Sequence, residues 1–380
     1  MKKVLTLALA VLMVLSLAVM TVSAGSFDSA FKGDVKFTVL SKYGSAVLGG
    51  YQMRAFCVDK RENAKYYYGG TLQEGPKFFK FDANTGAKLA VYEFSHDAGA
   101  YIKGCASDDR GYVYAGVANK ANNGEFFFSI LDAETWTEQS YLGVKIAGKL
   151  GVNGAGIAKL GTSYYLYVVC NYDTNRLYRF NVTDPKKPTL DTSWGNNGFY
   201  ELADYGLKEG AGVCCDEAGN IYVAGNGGSG SKGDTLVKLN SAGKKQTTLA
   251  VKEIWGIDYT RGYIYCATRN SAKSEVVIVD AASMTQVASY IPEGVGEGFS
   301  GVGIMNNKIY VCDHNKDDKV YVSNALNIPA VTTAPATTKA AATAAAAKTA
   351  TAAKTADMSV VIAAVATVAL AGVVVCKKKH

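Results

Sequence analysis

Histidine is nearly missing from this chain. There are three in 380 residues, and His96 and His314 are the only two between the terminal segments. Histidine supplies many neutral metal ligands and much acid–base catalysis near neutral pH, and two histidines in different repeats fall short of a histidine-rich metal centre. No Cys-x-x-Cys pair occurs among the eight cysteines, which removes the usual cysteine zinc sites. The one glycine-rich loop, Gly225 to Gly233, ends in Lys232-Gly233-Asp234 and lacks the Gly-Lys-Ser/Thr close of a phosphate cradle. Asp313-His314-Asn315-Lys316-Asp317-Asp318 lacks the glycine and final Glu of an EF-hand loop. Net charge is also missing once the ends are set aside. The formal +7 comes from two lysines before residue 25 and six after residue 330, less Asp357; the body between holds 32 basic and 32 acidic residues. A neutral body has no electrostatic footprint for nucleic acid.

What is present begins at the ends. Residues 1–24 read as a signal peptide: Met1-Lys2-Lys3, an apolar run from Val4 to Val22, and a small-residue cleavage site at Val22-Ser23-Ala24. Residues 331–356 are almost only Ala, Thr and Lys, with nothing large to bury against the entropy of ordering, and read as a disordered stalk. Residues 357–376, uncharged from Met358 to Cys376, are long enough at about 1.5 Å per residue to cross a hydrocarbon core as a helix. The basic tail 377–380 then stays on the cytoplasmic side. This end resembles the C-terminal sorting signals of Gram-positive surface proteins. Lys354-Thr355-Ala356-Asp357 stands where a Leu-Pro-x-Thr-Gly motif would be. The resemblance implies export from a Gram-positive cell and anchoring at its surface, in the membrane or the wall.

Residues 25–330 repeat. A strand triplet centred on tyrosine recurs at Tyr67, Tyr114, Tyr167, Tyr222, Tyr265 and Tyr310, with spacings of 47, 53, 55, 43 and 45 residues. Ahead of each lies a small residue followed by an apolar one: Ala55-Phe56, Gly104-Cys105, Gly156-Ile157, Gly212-Val213, Gly256-Ile257 and Gly303-Ile304. Polar turns such as Asp108 to Gly111 and Asp216 to Asn220 separate the two elements, with Gly and Asn for positive-φ positions. A third strand follows, ending in Asp or Asn, as in Phe78 to Asp82 and Val276 to Asp280, and then a more polar fourth strand. Four short antiparallel strands per 40–50 residues describe a β-propeller blade. The last repeat has only three strands, and Val35 to Leu40 can supply its fourth. The expected fold is all-β: a six-bladed β-propeller closed by an N-terminal strand, followed by a single C-terminal transmembrane helix. Seven cysteines fall in this region at strand positions, and are read as buried free thiols rather than a disulfide lattice.

Asn171 to Phe180 resembles the loop and third strand of NHL-type repeats, in the wider group of YVTN-like propellers, and Leu190 to Phe199 the link between blades in related bacterial propellers. The resemblance implies a fold; propellers carry many unrelated activities. Propellers work through the face where strand-four-to-one and strand-two-to-three loops surround the channel. On that face the candidate ligand residues are Arg54, Lys103, Asn171, Glu209, Asn226, Trp255, Phe299 and His314. No catalytic group assembles, no cofactor is called for, and a divalent cation in the channel finds no spacing that demands it. The expected function is a surface-anchored binding or scaffold protein with an extracellular protein or glycan partner. An extracellular hydrolase or lyase using a channel-bound divalent metal is the alternative.

Overall fold

The computed structural model describes residues 35–326 except for 44–47, 49–51, 72–74, 95–99, 120–124, 146–149, 173–174, 227–232, 270–273, 296–297 and 315–318. The expected signal peptide, stalk and C-terminal span lie outside the described residues.

Alternating apolar and polar residues, broken every five to ten positions by Asp, Asn or Gly, favour short strands and tight hairpins, and the described fold is all-β. Met53–Val58, Tyr66–Thr71, Lys77–Asp82 and Lys88–Glu93 pair antiparallel in chain order. Ala100–Ser107, Tyr112–Asn119, Glu125–Asp132 and Glu138–Lys145 do the same. Leu150–Leu160, Ser163–Tyr172 and Arg176–Asn181 form a third unit, whose outer edge is two short strands, Thr189–Leu190 and Phe199–Glu201. Two further units run into one seven-stranded sheet because Lys245–Thr260 serves both. Its first half pairs with Gly233–Leu239 and its second half with Tyr263–Thr268. The change of partner falls near Glu253, whose φ of 57° is unusual for a residue with a Cβ. In the last sheet Phe299–Met305, Lys308–Asp313 and Lys319–Ser323 take Phe37–Lys42 as their fourth strand. The N-terminal segment therefore closes the last unit, as its sequence suggested. The Asn324 side chain and backbone clamp Lys36 from both sides, at 2.8 and 2.9 Å.

The first strands of these units pack in a circle. Met53–Val58 lies against Ala100–Ser107, that against Leu150–Leu160, and the order continues through Glu209–Cys215, Lys245–Thr260 and Phe299–Met305, which returns to Met53–Val58. Their approach needs small residues. A Cβ on Gly154 would sit 2.6 Å from the Cα of Gly212 on the neighbouring strand. Register places Gly104, Gly154, Gly212, Gly256 and Gly301, with Ala55, at equivalent positions. In the third and sixth repeats the equivalent glycine is thus two residues earlier than the Gly156 and Gly303 expected. The same register makes Tyr68, paired with Cys57, the equivalent of Tyr114, Tyr167, Tyr222, Tyr265 and Tyr310, in place of Tyr67.

These tyrosines are fully buried or nearly so. They feed apolar clusters shared between consecutive units. Tyr68 and Phe78 of the first unit pack with Cys105, Val113 and Trp136 of the second, and the last unit's Tyr310 and Val320 pack with Tyr67 and Phe81 of the first. Burial between sheets, at about 25 cal/mol per Å² of apolar area, is what holds the circle. The seven described cysteines are buried and free. The turn after the third strand is also repeated: Asp82, Asp132 and Asp280 each accept the backbone N–H and hydroxyl of Thr85, Thr135 or Ser283. It ends in a left-handed residue, Gly86, Trp136 or Met284. Where that residue is Trp136, its ring stacks 5.6 Å from Tyr68 and 5.7 Å from Phe78 of the neighbouring unit.

Candidate functional site: the two ends of the channel

The circle of first strands leaves a channel, and one backbone device recurs around it. In every first strand the pairing register skips one residue, at Arg54, Lys103, Asn153, Ala211, Trp255 and Ser300. A bulged residue is released from the ladder and its side chain re-aimed. Five of the six, all but Arg54, line a cavity of about 30 Å³, room for a water or two. Arg54, Lys103 and Trp255 therefore sit on strands at bulges, not on loops as expected. Arg54 is buried, and its guanidinium lies 3.6 Å over the Trp255 ring, which Arg269 approaches at 4.9 Å.

The remaining expected residues divide. Phe299 is fully buried in the core between the last two units and is removed from any ligand face. His314 is also buried, with Nδ1 3.0 Å from the carbonyl of Met53. Burial, then the charges of Arg54 and Arg269, depress its pKa to about 4 against the opposing pull of that carbonyl, so the ring is neutral. Glu209 is half-buried at the start of its strand, its backbone opposite Asn226. Asn226 ends a second strand and Asn171 is the last residue but one of another, and their side chains lie outside the described residues. Among the described residues no group of three or more His, Cys, Asp and Glu is close enough to hold a metal ion.

The larger described cavity, about 280 Å³, opens at the other end, among the hairpins joining first and second strands. Its waist is built from one residue of each first strand: Phe56, Cys105, Ala155, Val213, Ile257 and Val302, the same six that line the smaller cavity from the far side. Each stands two positions beyond a bulge. None carries a strong hydrogen-bonding side chain.

Charged turns ring this apolar waist. Asp108 accepts the amides of Arg110 and Tyr112 and the hydroxyl of Tyr114; Asp216 accepts the amides of Ala218 and Asn220 and the hydroxyl of Tyr222. Gly111 and Gly219 close these two turns at φ of 93° and 80°. Across the mouth, Lys60 holds both oxygens of Asp258, at 2.8 and 2.6 Å, while Asp258 also accepts the amides of Tyr259 and Ile304. Asp109 takes Lys159 at 2.7 Å and the Tyr164 hydroxyl at 2.6 Å; burial raises its pKa, and these two bonds overcome that and leave it below the usual range. Among the described residues Glu217 accepts only the Tyr259 hydroxyl, whose pKa is raised by burial and then by that bond. Burial likewise raises the thiols of Cys57, beside Cys105, and of Cys214. A protonated thiol is a poor nucleophile and a poor metal ligand.

Sequence reasoning named none of this mouth as a site. Asp108 to Gly111 and Asp216 to Asn220 read only as polar hairpin turns, and the Lys60–Asp258 pair spans 198 positions.

No family model and no curated protein matches the sequence. Among solved structures, the chain is similar to the WD40 repeats of RRP9, with a TM-score of 0.49 and 10% identity over 77% of this chain and 100% of that one. It is similar to the structure of U3-55K as well, with a TM-score of 0.48 and 10% identity over 76% of this chain and 98% of that one.

Proposed function

We propose that this chain is a six-bladed β-propeller acting as a binding or scaffold module, exported by residues 1–24 and held at the cell surface through residues 357–376. The circular packing of six first strands, with clusters shared between each consecutive pair, supports the blade count. The observation that carries the binding reading is the cavity of about 280 Å³ at the hairpin mouth. It is near the lower end of the range for small-ligand sites, mostly apolar at its waist, and ringed by fixed polar groups. The groups around it are committed to holding turns and straps rather than to activating a nucleophile. A partner in the extracellular space, protein or glycan, fills the role.

The test is to present the purified full chain to glycan and peptide arrays and, separately, to shave intact producing cells with a protease. Selective binding together with loss of the chain from shaved cells supports the reading. Stoichiometric calcium or zinc in the purified protein, with hydrolase or lyase activity, would replace it by an enzyme. Retention inside shaved but intact cells would remove the surface placement.

A further inference from the structure

On that binding reading, we infer that the hairpin mouth takes a protein segment, which inserts one apolar side chain into the waist and sets a basic residue against Glu217. Three observations separate this from a glycan. First, the six residues of the waist offer no strong hydrogen-bond donor or acceptor side chain. A sugar hydroxyl pushed there would lose water without a replacement partner, which costs free energy, whereas an aliphatic or aromatic side chain would gain it. Second, the volume of about 280 Å³ suits one large side chain and its Cα rather than an extended ligand. Third, the rim is not neutralised evenly. Asp258 is saturated by Lys60 and two backbone amides, and Asp109 is paired with Lys159. Glu217 is exposed and forms no ion pair among the described residues; its partner is the Tyr259 hydroxyl. An exposed carboxylate beside an apolar well complements a cation placed next to an apolar group, the pattern of an apolar residue followed by Lys or Arg.

The test uses the full chain and immobilised acetylated pentapeptides in which a central apolar residue and its neighbour are varied, with affinities of the best peptides measured by fluorescence polarisation. Binding should concentrate on apolar–basic pairs. Glu217→Gln should weaken those peptides about tenfold and flatten the preference for the basic neighbour, as loss of one charge-assisted contact does. Ala155→Leu, which fills the half-exposed wall of the waist, should abolish binding. Ala155→Val repeats the test with a smaller plug, and unchanged thermal melting shows that each variant folds. A preference for apolar–acidic pairs, or binding indifferent to both Glu217→Gln and Ala155→Leu, overturns the inference. So does a glycan ligand on a parallel array that Ala155→Leu displaces, although that result leaves the binding module standing. No selective binding on either array overturns both.

Discussion

His314 provides a measurement of how firmly the circle is closed. It follows the second strand of the last unit and contacts the carbonyl of Met53 in the first, 261 positions away. Its pKa falls from an ordinary 6.5 to about 4 because the ring is buried and faces Arg54 and Arg269. The native state therefore resists the proton that the unfolded chain binds below about pH 6.5. Stability from this residue is whole above that pH and declines at about 1.4 kcal/mol per pH unit until the folded pKa is reached. At pH 5 the loss is about 2 kcal/mol, and near pH 4 about 3 kcal/mol. Unfolding in urea at pH 7, 6 and 5, by tryptophan fluorescence, should show wild type losing more stability than His314→Gln by that margin. Glutamine can still donate to the Met53 carbonyl but does not titrate. Carboxylates and the other two histidines are common to both proteins and cancel in the difference. Parallel slopes for the two proteins would show that the histidine is charged, or exposed, in the folded state.

Other substitutions test the packing directly. Trp136→Ala removes a ring stacked between units and should cost about 3–4 kcal/mol in urea unfolding, in line with large-to-small core changes; a cost below about 1 kcal/mol would mean that the ring is dispensable. Gly154→Ala drives a Cβ into the backbone of Gly212 and should destabilise by about 3 kcal/mol or prevent folding. The same change tolerated within about 0.5 kcal/mol would contradict the close approach of the two first strands. Asp258→Asn should cost about 2 kcal/mol, discounted from a fully buried pair because Lys60 retains 28% exposure, and Lys60→Met in the same chain should recover part of it. Additive effects of the two changes would show that Lys60 and Asp258 do not interact.

The repeat was legible because each of its parts has a local cause. Third strands ending in Asp or Asn, tyrosine-centred strands and glycine-bearing hairpins all announce themselves within a few residues, and the N-terminal strand was found by counting what the last repeat lacked. Alignment of the first strands was less legible. Gly154 and Gly156 both precede apolar residues, and only the bulge at Asn153 decides which one meets the next strand. The bulge positions hold Arg, Lys, Asn, Ala, Trp and Ser, so no residue type marks them; the small residue that follows, Ala55 or a glycine, is constant, but Ala155-Gly156 and Val302-Gly303 show the same pairing of types without a bulge. The hairpin mouth was beyond local reading, since Lys60 and Asp258 become neighbours only after the circle closes. Phe299 was misplaced for the opposite reason: it lies beside a loop in sequence, yet its strand has already begun.

Closure itself concentrates in one seam. The circle joins its ends where the last unit meets the first, and a strand borrowed from the N-terminus guards only the outer edge. Toward the channel the seam is bridged differently. Both ends of Met53–Val58 send a cation past the sixth first strand to the fifth: Arg54 onto Trp255 at one mouth, Lys60 onto Asp258 at the other. The sixth strand permits this because it presents Ser300, Gly301 and Gly303 along the way, and it joins the strap by donating the Ile304 amide to Asp258. Phe56 and Val58 occupy the space that a Cβ on Gly301 or Gly303 would need. Between these layers, Tyr310 donates to the carbonyl of Ala83 and Asn306 to that of Ala64, each more than 220 positions away. A long-range closure of this kind orders a long loop for each first contact, an entropy that grows slowly with length. Once one strap has formed, the others close at little further loop cost. The seam is therefore a cooperative unit, in which the ion pair that frames the candidate ligand mouth is also one of the fastenings of the fold.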